Sequence, residues 1–307
     1  VIAVIGLGDW GSKHLATLGS LVGPAEVVGV DDCPDRRSAA EQLGFRTVAA
    51  VDQLPEDISS AVVATPTPTH AAIAAPLLEQ GVALLVEKPL AADCQEAGQL
   101  VRLAELRGVP LMVGHVFLFQ RAYARLRETL AGLGPLRTLS IERRTPGLVK
   151  RESGAWLELA PHEIATALDL GALADRVDVE PLRRWSVTGV GREDGASGRF
   201  TTDSTTVEIS CSWLSAVRSR RVWAIAESGQ ALLVDDGREQ WLAVWSGQST
   251  WTRREPIEPT WEDVSGPPPL RTEWESFLAA MHEGGPIRSD GRLGLRVVEL
   301  LTKGEST

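Results

Sequence analysis

Three groups of residues in this 307-residue sequence are of types and spacings that could do chemistry. The first is Glu87-Lys88-Pro89, which closes the apolar run 82–86. A lysine at a strand end can direct its ammonium at a substrate oxygen, stabilising an alkoxide or lowering the pKa of a neighbouring acid–base group. The same placement also suits a solvated surface lysine. The second is Glu158 and His162, spaced i, i+4. On one helical face the carboxylate would orient the imidazole and raise its basicity. Pro161 fits a helix only near its start, so the alternative is that the pair straddles an entry turn. The third is Gly6-x-Gly8-x-x-Gly11, followed about 20 residues on by Asp31-Asp32. The glycines turn the chain tightly and let backbone N–H groups approach a pyrophosphate at a helix N-terminus, and the carboxylate accepts hydrogen bonds from ribose hydroxyls. A methyltransferase could use the same arrangement. The acid repels a 2′-phosphate, which favours NAD, while the nearby Arg36 and Arg37 leave NADP possible.

These residues need elements to position them. Residues 1–5, 27–30, 61–64, 82–86 and 109–113 read as buried strands, alternating with helices at 12–21, 70–80 and 92–107. That rhythm predicts an α/β fold: a Rossmann, doubly wound parallel sheet whose ligands bind at the carboxyl ends of its strands. Thr65-Pro66-Thr67-Pro68-Thr69-His70 follows one such end, with Thr69 expected to cap the next helix and Pro76 to kink or limit it. After about residue 120 the pattern changes. Helices are expected at 121–131, 156–173 and 272–282, and strands at 136–145, 182–191, 203–213, 217–227, 229–235 and 239–246. Turn signals such as Glu193-Asp194-Gly195 join the strands, so a large, mostly antiparallel sheet is predicted. The expected division is a nucleotide-binding domain at 1–117 and an α+β substrate-binding and oligomerisation domain at 118–307, with a final helix near 290–302 packing back on the first domain.

Composition narrows the function classes. Hydrophobic residues make up 43% and charged residues 23%, as in a globular soluble protein. The net charge of −10 disfavours duplex nucleic acid as a partner. No apolar run has the length of a membrane span. Cys33, Cys94 and Cys211 form no metal spacing, and their odd number argues against a disulfide framework. With no basic n-region, no signal peptide is expected, and the location is read as cytoplasmic. Ten tryptophans stand against one tyrosine. Those in strand-like segments suit a core or a subunit interface.

The motifs GLGDWG at 6–11, TPTPTH at 65–70, EKP at 87–89, GH at 114–115 and LAPHE at 159–163 occur together and in order. With a tail at 290–298 similar to a closing helix, they resemble the glucose-fructose oxidoreductase/inositol dehydrogenase (Gfo/Idh/MocA) family. The stretches 147–151 and 155–162 look closest to its sugar-nucleotide branch. Against a methyltransferase, the resemblance implies hydride transfer between NAD(P) and a sugar hydroxyl or ketone, with carbon 3 of a nucleotide-linked hexose as the expected position. It implies Lys88 and His162 as the catalytic pair, with Glu158 in place of the family's aspartate. It also implies a dinucleotide site of Gly6, Gly8, Asp9, Trp10, Gly11, Asp31, Asp32, Thr65, Pro66, Thr67, His70, Glu87 and Lys88. His115, Lys150, Arg151 and Trp156 become substrate candidates, no metal is implied, and a homodimer or homotetramer through the C-terminal sheet is expected. Departures at Glu158, Ala165, Leu118 and Arg121 bear on the substrate more than on the reaction. Within the enzyme class, the rivals are a free-polyol dehydrogenase and an amino- or deoxysugar ketoreductase. Outside it, the rival is a non-catalytic dinucleotide-binding regulator.

Overall fold

A computed structural model describes residues 1–147, 153–173, 176–247 and 257–303. The chain divides into two units: residues 1–116 with 270–299, and residues 117–269 with the C-terminal remainder.

The first unit is built on six parallel strands. They are β1 (Ile2–Ile5), β2 (Val27–Val30), β3 (Arg46–Val48), β4 (Ser60–Val63), β5 (Ala83–Glu87) and β6 (Leu111–Gly114), in the order β3-β2-β1-β4-β5-β6. The order reverses between β1 and β4, which opens the crevice where ligands of such sheets bind. Every residue of β1, β2, β4, β5 and β6 is buried, because helices cover both faces. These helices are α1 (Asp9–Val22), α2 (Pro34–Gln42), α3 (His70–Glu79) and α4 (Cys94–Arg107). Burying each branched side chain there contributes roughly 1.5–3 kcal/mol. α4 ends as expected, on Gly108 at φ 65°. α1 starts three residues earlier than expected, at the glycine turn itself, and α3 continues through Pro76. Thr69 occupies the N-cap position of α3, but its hydroxyl turns back to Thr65 Oγ1 and Pro66 O (both 2.7 Å) and caps nothing.

The second unit contains α5 (Arg121–Ala131), the long strand β7 (Leu136–Pro146), α6 (Ala155–Asp169) and strands β8 (Asp178–Val179), β9 (Arg183–Trp185), β10 (Gly195–Thr201), β11 (Thr206–Ser212), β12 (Leu214–Ala226), β13 (Gly229–Asp235), β14 (Gln240–Ser246) and β15 (Thr260–Asp263). The sheet runs β15-β14-β13-β12-β7-β11-β10-β8, with β9 beside β10. All pairs are antiparallel except the parallel pair β7–β11. Strand alternation decides its faces: on β12, Arg220, Val222 and Ala224 are buried, whereas Arg221 and Trp223 are exposed. One expectation is corrected: the strand expected over 182–191 is only Arg183–Trp185, whereas Glu193-Asp194-Gly195 does lead from one strand, β9, into the next, β10, which begins at Gly195. Both acids are buried there. The Asp194 carboxylate accepts the N–H groups of Thr188 (2.7 Å) and Val187 (2.6 Å) and the indole N–H of Trp213 (3.0 Å), so the chain curls round it and no strand forms.

Two further helices close the chain, α7 (Pro269–Glu283) and α8 (Gly291–Lys303). α7 from Leu270 and α8 as far as Glu299 belong to the first unit. No helix among the described residues is long and apolar enough to cross a membrane.

Candidate active site

In the first unit the predicted dinucleotide residues converge on the carboxyl ends of β1, β2, β4 and β5. The three glycines do different work. Gly6 has φ 88°, and a Cβ there would meet Ala64 O at 2.9 Å. A Cβ on Gly11 would lie 1.6 Å from Gly6 O, so α1 can begin where it does only with glycine at that position. A Cβ on Gly8 would meet nothing within 4 Å. That clear space, at the N-terminus of α1, is where a pyrophosphate fits. Asp31 is buried and accepts the N–H of Leu7 (2.7 Å), inside the glycine turn, and that of Cys33 (2.9 Å). Burial raises its pKa, but these N–H groups and Arg36 outweigh that and hold the carboxyl below the ordinary range. Asp32 is exposed. Arg37 donates to Asp31 O (2.8 Å) and Asp32 O (3.0 Å), and Arg36 lies 3.4 Å from the Asp31 carboxylate. The two arginines noted for a 2′-phosphate are thus already engaged with the acids. Asp9 is exposed and paired with Lys13 (2.9 Å), whose ammonium also sits 4.7 Å over the ring of Trp10.

Two loops flank the turn. His70 does not face a ligand: its ring nitrogens lie 3.0 Å from Pro89 O and 2.8 Å from Thr65 O. It therefore clips the 65–69 loop, with Thr65, Pro66 and Thr67, to the 87–89 loop. Lys88 is half-buried at the end of β5, and the Lys88–Pro89 peptide is cis. Glu87 is the hub beneath it. Its Oε2 accepts the Lys88 N–H (3.2 Å), and its Oε1 lies 3.0 Å from His14 Nε2. His14 Nδ1 in turn accepts the indole N–H of Trp274 (2.9 Å). Burial pushes the Glu87 pKa up, but the hydrogen bond from His14, the neighbouring charges and the Lys88 N–H outweigh it and leave the carboxyl below its usual value. His115, a substrate candidate, is buried against Ser289 Oγ (2.9 Å). Burial pushes its pKa down to about 3, so near neutral pH it holds no charge.

In the second unit, Glu158 and His162 lie within a single helix and on one face of it. Of the two placements left open by the sequence, the helical face is the one found: α6 starts at Ala155, and Pro161 sits six residues beyond that start. Glu193 fixes this beginning. Its carbonyl accepts the N–H of Ala155 (3.1 Å) and its carboxylate that of Trp156 (3.0 Å), satisfying two orphan donors of the first turn. A Cβ on Gly154 would clash with that carboxylate at 1.8 Å. Glu158 accepts a hydrogen bond from Ser153 Oγ (2.9 Å). The His162 ring is buried edge-on to Phe117, with centroids 4.8 Å apart. The guanidinium carbons of Arg143 and Arg220 each lie 4.6 Å from the same Phe117 ring. These arginines face each other across β7 and β12, and Glu163, one residue beyond His162, bridges them at 3.4 and 2.9 Å.

Trp156 is corrected as a substrate candidate. It is fully buried, stacks near Phe200 (6.4 Å) and donates its indole N–H to Leu301 O (3.3 Å), so it is a core residue. Lys150 and Arg151 lie outside the described residues. Of the departures noted in the sequence, Leu118 and Ala165 are fully buried, and Arg121 donates to Ser265 O (3.0 Å). Sequence reading missed His14, Trp274 and Ser289 in the first unit and Phe117, Arg143, Glu163 and Arg220 in the second. His14 carried one signal: it lies three residues after Gly11 in α1, facing the sheet. The others are joined only by the folded chain.

Residues 1–115 match the model of an oxidoreductase family with an NAD-binding Rossmann fold. The UDP-N-acetylglucosamine 3-dehydrogenase of Acidithiobacillus ferrooxidans is 29% identical over 300 residues, covering 96% of this chain and 93% of that one. A solved structure of it superposes with a TM-score of 0.85 at 25% identity, over 99% of this chain and 96% of that chain. Myo-inositol dehydrogenase Hyg17 of Streptomyces leeuwenhoekii is 37% identical over 145 residues, or 46% of this chain and 44% of that one. GenD2 from gentamicin A biosynthesis, solved in complex with NAD, has a TM-score of 0.81 at 25% identity, over 99% of this chain and 93% of that chain.

Proposed function

Because the chain belongs to the Gfo/Idh/MocA oxidoreductases, we propose that it is an NAD-dependent dehydrogenase or ketoreductase acting at carbon 3 of a nucleotide-linked hexose. The observation that carries the substrate class is likeness over nearly the whole length to a UDP-N-acetylglucosamine 3-dehydrogenase. The likeness to an inositol dehydrogenase is closer in identity but spans less than half of the chain, so it bears less on the substrate.

When bound, the dinucleotide supplies the two-electron acceptor or donor. The Gly6–Gly11 turn would hold its pyrophosphate, and Asp31, kept as an anion, would take the adenosine ribose. Lys88 hydrogen-bonds the reacting oxygen and stabilises the negative charge that develops there. His162 takes the hydroxyl proton in oxidation and returns it in reduction, and Glu158 orients its ring. Phe117, braced by Arg143 and Arg220, limits the tilt of that ring.

The test compares turnover of a nucleotide-linked hexose with that of its free sugar. A marked preference for the linked form is expected, and equal kcat/KM for the two would overturn the substrate class. A bound-dinucleotide spectrum that no sugar changes would favour the regulator.

The exposed face of the second unit's sheet is proposed to join copies of the chain into dimers or tetramers. It carries Trp223 stacked on Trp245 (5.5 Å), with Trp261 half exposed beside a shallow hollow of about 450 Å³. Such apolar faces rarely stay in water. Sedimentation as a monomer alone would remove this proposal. Cys33, Cys94 and Cys211 form no disulfide, which fits work in the reducing cytoplasm. Fractionation with membranes or outside the cell would contradict it.

A further inference from the structure

We propose that Trp274 and His14 are positioning residues: they hold the Glu87 carboxylate by a relay of hydrogen bonds, and that carboxylate fixes the strand end carrying Lys88. The relay is read from donor and acceptor chemistry. An indole N–H can only donate, and that of Trp274 points at His14 Nδ1 (2.9 Å). An imidazole accepting at Nδ1 carries its proton on Nε2. Nε2 lies 3.0 Å from Glu87 Oε1, so His14 donates there. The other Glu87 oxygen accepts the backbone N–H of Lys88 (3.2 Å). The donors thus run from Trp274 through His14 to Glu87, and the Lys88 N–H donates to the same carboxylate from the other side.

The surroundings leave this order no alternative. Trp274 and His14 are fully buried and Glu87 is 7% exposed, so water cannot substitute for a missing partner. The ring of His14 meets that of Trp274 edge-on (5.7 Å), and Phe277 abuts Trp274 in the same way (5.6 Å), so the indole cannot turn away. A Cβ on Gly114 would lie 2.9 Å from Glu87 Oε1, so the glycine of the GH pair makes room for the carboxylate. A second carboxyl stands close by. Glu273 is buried with neither oxygen hydrogen-bonded among the described residues, and burial, reinforced by the charge on Glu87, raises its pKa well above the ordinary value. Burial thus favours the protonated form at Glu273, and its hydrogen bonds favour the anion at Glu87. Without the indole N–H, the Nδ1 lone pair of His14 is left buried without a partner, and the ring loses one of the two contacts that aim its Nε2–H at Glu87.

The inference rests on the reading of Lys88 as the donor to the substrate oxygen, and the test separates the two. Trp274→Phe keeps an aromatic ring and deletes only the donor. In ¹⁵N-histidine-labelled protein, wild-type His14 is expected as the Nε2–H tautomer with the shift of a hydrogen-bonded Nδ1, and the variant with the shift of an Nδ1 that accepts nothing. The single-turnover rate is expected to fall about tenfold, as for one lost charge-assisted interaction, with the Kd for NAD within about twofold. His14→Gln, whose amide offers one donor and one acceptor, should keep the rate within about threefold, whereas His14→Leu should match or exceed the Trp274→Phe loss. The relay is overturned by an unchanged Nδ1 shift in Trp274→Phe, or by Gln and Leu variants whose rates fall together in step with their Tm. Full turnover by Lys88→Ala would instead overturn the role of Lys88, and the Nδ1 shift result would stand without it.

Discussion

In the first unit the functional groups stand at strand ends; in the second they stand on a helix lying over a sheet. At the strand ends, positions follow from sheet order, because every parallel strand delivers its next residue to the same edge. Backbone groups then do most of the holding: Leu7 N–H fixes Asp31, Lys88 N–H meets Glu87, and two carbonyl oxygens hold His70. On α6 the helix sets only which residues share a face. The orientation of His162 comes from a ring and two guanidiniums supplied by β7, β12 and the segment before α5, held together by the single carboxylate of Glu163. A backbone-held site tolerates side-chain change around it. A site braced by charges depends on each member.

The largest expected effect tests whether both regions serve one reaction. Lys88→Ala and His162→Ala should each slow the chemical step by about 10²–10⁴-fold, read in single turnovers, with NAD affinity nearly unchanged. Loss at only one of the two positions would break the comparison by leaving one region without chemistry. Next, Glu163→Leu should destabilise the second unit by about 3–5 kcal/mol, since it leaves the buried Arg220 and the half-buried Arg143 side by side without their counter-charge. Hydrogen exchange by residue should show protection lost on α6, β7 and β12, with β1–β6 retained.

A smaller effect separates the two tasks of the glycine turn. Gly8→Ala should fold normally and lose at least about tenfold in NAD affinity, near 1.4 kcal/mol, because its methyl group enters the pyrophosphate space. Gly11→Ala should lower Tm, because its methyl group has no space at all. Equal Tm for the two variants would contradict the assignment.

The smallest effect depends on pH. The raised pKa of Glu273 means that the native chain keeps a proton the unfolded chain releases near pH 4.5. Stability is therefore lost as pH rises above that value towards the folded pKa. Glu273→Gln should match the wild type at acidic pH and exceed it in Tm by a few degrees near pH 8. A gap independent of pH would show that Glu273 is ionised in the fold.

Much of the first region was legible. Gly6, Gly8 and Gly11 could be assigned work before any fold was known, since strand, turn, helix and acid succeed one another locally. Glu87 was legible as a member of a motif but not as the hub of a buried network, because Trp274 lies 187 residues away. In the second region only the i, i+4 spacing of Glu158 and His162 could be read. Trp156 looked available for a substrate because its neighbours are chemical, yet α6 is buried on nearly every side, and the indole lies in the core. Glu193-Asp194-Gly195 has the composition of a surface turn, but burial turns those carboxylates into caps for a helix and a loop.

The sequence by itself determined the Rossmann sheet and the glycine turn, while the redox roles of Lys88 and His162 came from a family resemblance. The sheet and the turn are encoded by local periodicity and by spacings within a few turns of chain. Only the tertiary structure decided which way the protons point. It brought Trp274 to His14, paired Arg143 with Arg220, and favoured the charged form at Glu87 beside the neutral form at Glu273. A hydrogen bond or a pKa depends on what surrounds a group in space and on how little water reaches it, and neither is written in the order of the residues.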